Sequence, residues 1–248
     1  MTLALLGALL IGLSLGLLGS GGSILTVPVL VYLLGEAPKQ AIAESLLIVG
    51  GIALLGAIPY ALRDLVDFRN VLFFGLPGMA GTYLGAWLSQ FVSGQVQLLT
   101  FALVMLLAAY FMARPPSLKR HEGGRKPWKI VLDGLAVGAL TGFVGVGGGF
   151  LIVPALVLLG GLPMHLAVGT SLLIIALKSF VGFYKYLHLL PALGLSVDYR
   201  VVGLFVLVGF LGSLLGGRVA VRLPQESLRR GFALFLVVMG AYIVAQSL

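Results

Sequence analysis

The sequence predicts an all-α polytopic membrane protein of two repeats related by inverted topology, each with a glycine-broken, re-entrant motif segment plus three transmembrane helices. Three observations predict it. The chain of 248 residues is 60% hydrophobic and 10% charged, with mean hydropathy +1.13. A soluble domain of that size cannot cover its surface with so few charges. Several apolar runs reach the ~20 residues that cross a bilayer core. A glycine-rich, proline-ended motif occurs twice, at Gly12–Pro28 and Gly138–Pro154. A shift of 126 aligns residues 12–48 with 138–174 without a gap, with 17 identities in 37 positions. Matching glycine breaks in two apolar halves point to a substrate site in a secondary transporter.

The apolar segments run at about 2–18, 24–34, 41–61, 70–92, 97–113, 129–144, 150–160, 165–190, 201–222 and 229–247. The basic stretch Arg114–Pro127, rich in proline and glycine, interrupts them as a linker. It separates a first membrane repeat, 1–113, from a second, 128–248, with the linker at 114–127. The duplication continues past the motif. Val66-Asp67-Phe68-Arg69 matches Val197-Asp198-Tyr199-Arg200 at a shift of 131, and Gly78, Gly81 and Gly85 match Gly209, Gly212 and Gly216. Each aspartate reads as a helix cap and each arginine as an interface anchor. The apolar start Leu3–Leu18 lacks the basic region of a signal peptide and recurs at Ile130–Val144, so it reads as mature structure.

The net charge of +8 lies between the apolar segments, where loops facing anionic lipid explain it better than nucleic acid does. Suppose each motif segment enters and returns as a hairpin. The loop with Arg63 and Arg69, the linker region through Lys129, and the loop with Arg218, Arg222, Arg229 and Arg230 then share one side. That gathers 12 of the 16 basic residues. If each motif segment instead crosses once, the last loop lies opposite the linker and its four arginines oppose the positive-inside bias. The bias therefore favours the hairpin arrangement, with the linker cytoplasmic, both termini outside and the halves inverted.

Glycine inside a helix costs about 1 kcal/mol against alanine. Gly19-Ser20-Gly21-Gly22-Ser23 and Gly145-Val146-Gly147-Gly148-Gly149 concentrate that cost in mid-segment. The conformation this favours is helix, break and half-helix. Broken backbone at membrane depth survives only when buried in protein or lining a wet cavity. A half-helix starting near Ile24 or Phe150 presents free backbone N–H groups and a positive dipole end, which suits an anion. The candidate binding residues are therefore Gly19, Ser20, Gly21, Gly22 and Ser23 with Gly145, Gly147, Gly148 and Gly149, converging on one small anion near the midplane. The four-spaced pairs Gly12/Gly16, Gly138/Gly142, Gly81/Gly85 and Gly212/Gly216 read as close helix crossings instead. Gly147–Gly149 is no nucleotide loop, since no strand precedes it and no Gly-Lys-Ser/Thr follows.

Lys178 sits in mid-segment, where a charge is expensive and a functional role is the default; neutralising a bound anion is that role, and snorkelling or carboxylate pairing is the alternative. Glu44 is the candidate for proton coupling, set against the commoner reading of an acid near a helix N-terminus. Its counterpart at the 126 shift is Thr170, so the two half-sites are not chemically equivalent. His165 and His188 read as segment-end residues. The chain has no cysteine, which excludes disulfides, thiol catalysis and thiolate metal sites. No cofactor and no metal site is expected.

The duplicated pattern, followed by Ala41–Ser45 and Ala167–Ser171, resembles the TauE/SafE sulfite exporter family over essentially the whole chain. Gly209–Gly216 before the final segment fits the same resemblance. Ser45 and Ser171 join the candidate binding residues on this ground. The resemblance implies a multi-pass permease of a bacterial or archaeal inner membrane that exports a small inorganic or organic sulfur anion, such as sulfite or an organosulfonate. The first copy departs from the second at Ser20 and Ser23, whose hydroxyls suit an oxyanion.

The leading reading is thus secondary transport by alternating access around the two broken segments. With no nucleotide-hydrolysis motif, the membrane potential or an ion gradient drives it, with protons as an optional partner. Membrane lipid is the other partner, a homodimer is compatible, and nucleic acid is not expected. A passive anion channel is the alternative. An intramembrane enzyme with Ser20 as nucleophile, or a purely structural subunit, has less in its favour, and no enzymatic activity is expected.

Overall fold

The computed structural model describes residues 2–19, 21–114, 127–144 and 149–247, and all regular structure among them is helical. Leucine, isoleucine, valine and alanine supply long apolar helices, and glycine and proline set where they break. The first motif forms α1 (Thr2–Leu18) and α2 (Gly21–Pro28), continued by a π-helical turn Val29–Leu33. Helix α3 (Pro38–Ala61) follows. Next, α4 (Phe68–Asn70), a π turn Val71–Gly75, α5 (Leu76–Leu88) and a 3-10 turn join into one apolar span, Phe68–Phe91. Then come α6 (Gly94–Ala113), α7 (Pro127–Val144) and α8 (Gly149–Pro154) with its π turn Ala155–Leu159. The chain ends in α9 (Met164–Leu189), α10 (Tyr199–Ala220) and α11 (Gln225–Ser247). Both motif prolines therefore precede a π turn, as a residue without an N–H disturbs the helical ladder around it.

Seven helices among the described residues are long and apolar enough to cross a membrane. Helix α7 is one of them, while its counterpart α1, at 17 residues, is shorter. Helices α3 and α9 form the centre: 72% and 67% of their apolar windows are buried, against 33–44% in the other spans. They pack antiparallel, with Gly50 against Ser179, Gly56 against Leu172 and Gly182 against Leu46. Shifting the pair Leu46–Gly182 by 126 in opposite senses returns the pair Leu172–Gly56.

The first motif folds back on itself. Gly7 faces Val29, and Gly22 faces Ile11 and Leu15, so α2 returns along α1. In the second motif, Ile130 and Asp133 near the start of α7 line the same small recess as Leu159 and Gly160, so that segment also returns.

The four-spaced glycines mark close crossings, as their spacing predicts. A Cβ on Gly12 would overlap the Gly209 carbonyl, and one on Gly16 the Ser213 carbonyl, so α1 runs parallel to α10. Gly138 meets Gly78 and Gly142 meets Thr82 in the same way, so α7 runs parallel to α5. Each motif helix thus packs on a helix of the other half. Small residues let the backbones approach where no hydrophobic driving force acts between helices.

The duplicated aspartates cap helices. Asp67 accepts from the Asn70 backbone, and Asp198 accepts from the Arg200 and Val201 backbones.

Candidate functional site

The first motif break is closed at Gly19, which ends α1 with φ +72°. That left-handed conformation suits glycine. A side chain would also collide with Val168 and the Ser171 hydroxyl. The Gly19 N–H bonds the Leu15 carbonyl at 2.8 Å. Ser171 Oγ lies 3.1 Å from the Gly19 carbonyl and 2.8 Å from that of Val168, sharing one proton between them. One turn earlier, Tyr60 Oη donates to the Gly16 carbonyl at 3.0 Å. Gly21 opens α2, Gly22 packs on α1, Ser23 is fully buried, and Thr26 Oγ1 donates to the Gly22 carbonyl at 2.7 Å. Ser45 is buried and donates to its own helix at Ile42. Ser20, Gly145, Gly147 and Gly148 lie outside the described residues, and Gly149 begins α8.

The second motif is anchored by Gln97, which also donates to the counterpart tyrosine. Gln97 donates through Nε2 to the Phe143 carbonyl at 2.5 Å, and the same Nε2 lies 2.9 Å from Tyr186 Oη. Tyr186 stands 126 residues after Tyr60. Neither tyrosine nor Gln97 was flagged by the sequence pattern. The signal was present, since a tyrosine recurs at the repeat shift near the end of each central helix.

The two breaks flank different levels of α9. Gly19 touches Val168 and Ser171, whereas Gly142 and Gly182 both contact Thr82. Eleven residues of helix separate Ser171 from Gly182, about 16 Å at 1.5 Å per residue. The described flanks of the two breaks therefore do not converge on one point. Helices α2 and α8, which follow the breaks, touch each other.

Lys178 stands on α9 between those levels. It lies seven residues beyond Ser171, and two helical turns put both on one face. Its side chain is fully buried. Gly78 makes the room: any Cβ there would overlap Lys178 Cε and Nζ. The ammonium sits 4.9 Å from the Phe74 ring centre, within cation–π range. No hydrogen-bond acceptor reaches Nζ among the described residues. At the 126 and 131 shifts the same slot is formed by Ile52 and Gly209, which are in contact. One half thus fills the slot with a hydrocarbon and the other with an amine. Lys185, one face-turn on, lies 5.6 Å from the Tyr83 ring and is only partly buried.

Glu44 is fully buried on α3. Its Oε1 accepts from the Asp198 backbone N–H at 2.7 Å and from Gln40 Nε2 at 3.1 Å. Thr170 Oγ1 accepts from the Asp67 N–H at 2.8 Å in the matching position. Glu44 and Thr170 therefore do one job, docking the capped turn of the other half. A third carboxylate, Glu36, lies in the loop before α3 and meets Glu44. Burial first, then the charge of Glu44 and a hydrogen bond with it, then Asp198, push the Glu36 carboxyl up to about 8. The sequence reading did not single out Glu36, because its loop carries no pattern that ties it to Glu44. His165 and His188 bond backbone carbonyls near helix ends.

The family profile described as Sulfite exporter TauE/SafE matches residues 4–243, nearly the whole chain. The chain belongs to the TauE/SafE sulfite exporter family. Relatives that align over most of their own length are named as probable membrane transporter proteins. A "Probable membrane transporter protein" of Xylella fastidiosa (strain 9a5c) is 34% identical, covering 96% of this chain and 92% of the relative. One of Haemophilus influenzae is 30% identical over 96% of this chain and 95% of its own length. "Probable membrane transporter protein YunE" of Bacillus subtilis is 26% identical over 94% and 93%. No solved structure matches the chain significantly. The TauE/SafE protein described here is therefore a multi-pass membrane transporter rather than an enzyme.

Proposed function

We propose that this protein is a secondary transporter that exports a small sulfur-containing oxyanion, such as sulfite or an organosulfonate, by alternating access. One observation carries the reading. Lys178 is a lysine fully buried in the middle of a membrane helix, with no acceptor for its Nζ among the described residues. A buried charge is costly unless it is paired, and a bound anion supplies that pair. The family name supports a sulfur oxyanion as the ligand. The partner exchange of the motif helices, the antiparallel centre and the returning α1–α2 segment support two inverted membrane repeats, 1–113 and 128–248. In that arrangement the basic linker is cytoplasmic and both termini are outside, in an inner membrane. A cytoplasm that is electrically negative then favours anion export by about 2.3 kcal/mol per charge per 100 mV.

The test is Lys178→Met, which keeps the length and removes the charge. Sulfite binding to the purified protein is expected to weaken by at least about tenfold, the scale of one lost charge-assisted hydrogen bond. The fold is expected to persist. Unchanged sulfite affinity in a folded Lys178→Met protein would remove Lys178 from the site.

A further inference from the structure

A cavity of ≈130 Å³ opens between the ends of α3 and α10, lined among others by Gly56, Tyr60, Arg63, Ser213, Gly217 and Arg218. This volume far exceeds the ~10–15 Å³ that accommodates one water. The cavity lies at the end of the bundle where α9 begins, since Gly169 packs on Tyr60 and Leu65 there. Gly217 helps make the room: a methyl group on it would rest against the Tyr60 ring.

The hydroxyls in the wall are already committed. Tyr60 Oη donates to the Gly16 carbonyl, and Ser213 Oγ donates to the Phe210 carbonyl. The guanidinium groups of Arg63 and Arg218 are not committed. Neither makes an ion pair or side-chain hydrogen bond with a described residue. Two guanidinium groups facing one small cavity match a planar or tetrahedral oxyanion, which accepts from both forks. The cavity also abuts the first motif, because Tyr60 joins its wall to the backbone one turn before Gly19.

The repeat shifts sharpen the case. They carry Gly56, Tyr60 and Ser213 to Gly182, Tyr186 and Thr82, but Gly217 to Ala86, so the frame of the cavity recurs only in part. They carry Arg63 and Arg218 to Leu189 and Trp87. They carry Pro59 and Leu214, also in the wall, to Lys185 and Tyr83, which are in contact, so what belongs to one end only is the pair of guanidinium groups.

We propose that this cavity is an anion-binding vestibule, in which Arg63 and Arg218 hold a small free oxyanion at the basic end before it enters the membrane interior. This inference rests on the reading that the transported substrate is an anion. A lipid phosphate shares the ligand chemistry, and the test separates the two sources.

The experiment measures uptake of radiolabelled sulfite into inside-out vesicles, which expose the cytoplasmic face, for wild type, Arg63→Gln/Arg218→Gln and Arg63→Lys/Arg218→Lys. The expected result is a KM raised about tenfold or more in the glutamine pair, near-normal maximal rate at saturating sulfite, and a smaller KM change in the lysine pair. Both arginines are exposed, so folding is expected to survive. A glutamine pair with unchanged KM overturns the vestibule and leaves the transport reading intact. Wild-type vesicles that move no sulfite overturn both. In parallel, the purified proteins are placed in nanodiscs of phosphatidylcholine with or without phosphatidylglycerol, and sulfite binding is titrated. Weaker sulfite binding by the glutamine pair than by wild type in the pure phosphatidylcholine discs supports a free oxyanion. Loss of phosphatidylglycerol retention with unchanged sulfite binding assigns the arginines to lipid and overturns the proposal.

Discussion

Lys178 is held by what Gly78 lacks. The slot that takes Ile52 against Gly209 takes Lys178 against Gly78, so a residue that looks interchangeable in the repeat places a cation in the interior. Replacing a buried, unpartnered charge by an apolar side chain of similar volume is commonly neutral or stabilising. The Lys178→Met protein is therefore expected to melt no lower than wild type in the absence of anion, and to lose the stabilisation that sulfite gives wild type. Gly78→Val is expected to disrupt the packing of α5 on α9 and lower the yield of folded protein. At the other end, Glu36 makes a pH prediction. Its carboxyl is raised from 4.5 to about 8 in the folded protein, so the folded state holds a proton that the unfolded chain releases. The stabilisation is fully present below about pH 4.5 and is lost as pH rises through 8. Melting temperature is expected to fall from pH 6 to pH 9 in wild type and to fall less in Glu36→Gln. Equal slopes in the two proteins would contradict this assignment.

At the scale of elements, the motif helices are held by bonds from distant parts of the chain. Tyr60 bonds Gly16, and Tyr186 reaches Phe143 through Gln97. Tyr60→Phe leaves a buried carbonyl without that donor, at a cost of about 1–3 kcal/mol. A lower melting temperature is expected, and an unchanged one would show the carbonyl to be satisfied elsewhere. The same helices show where the sequence was readable. The glycine break at Gly19, the four-spaced glycine crossings and the aspartate caps are local patterns, and the structure carries each of them. The exchange of partners between halves was not readable. The contacts of Glu44 with Asp198 and of Thr170 with Asp67 join residues 154 and 103 positions apart, and no local periodicity encodes such a pairing. Glu44 looked like an acid at a helix start because that is its local setting; its docking role exists only once the second half is in place. Glu36 escaped for the same reason. The expectation that the two breaks meet at one point also came from local pattern. The described flanks of the breaks, at Gly19 and Gly142, stand at different levels of α9, which a repeat alignment does not reveal.

For the molecule as a whole, the inverted arrangement makes a topological prediction that a chain without cysteine makes easy to test. Single cysteines at Ser93 and Ser196 are expected to react with an impermeant maleimide from outside the cell. A cysteine at Leu62, which is exposed, is expected to react only after the cytoplasmic face is opened. Ser196 labelled only after the cytoplasmic face is opened, together with Leu62 and opposite Ser93, would contradict the inversion.

Transport itself is the central claim, and counterflow of sulfite in proteoliposomes tests it most directly. Vesicles containing the purified protein and loaded with unlabelled sulfite are expected to accumulate external labelled sulfite transiently and saturably, with the Lys178→Met protein doing so far more weakly. Sulfite flux that shows no counterflow and does not saturate would contradict alternating access and point to a channel, and no sulfite movement by a folded protein would contradict the account of Lys178 as the partner of a transported anion.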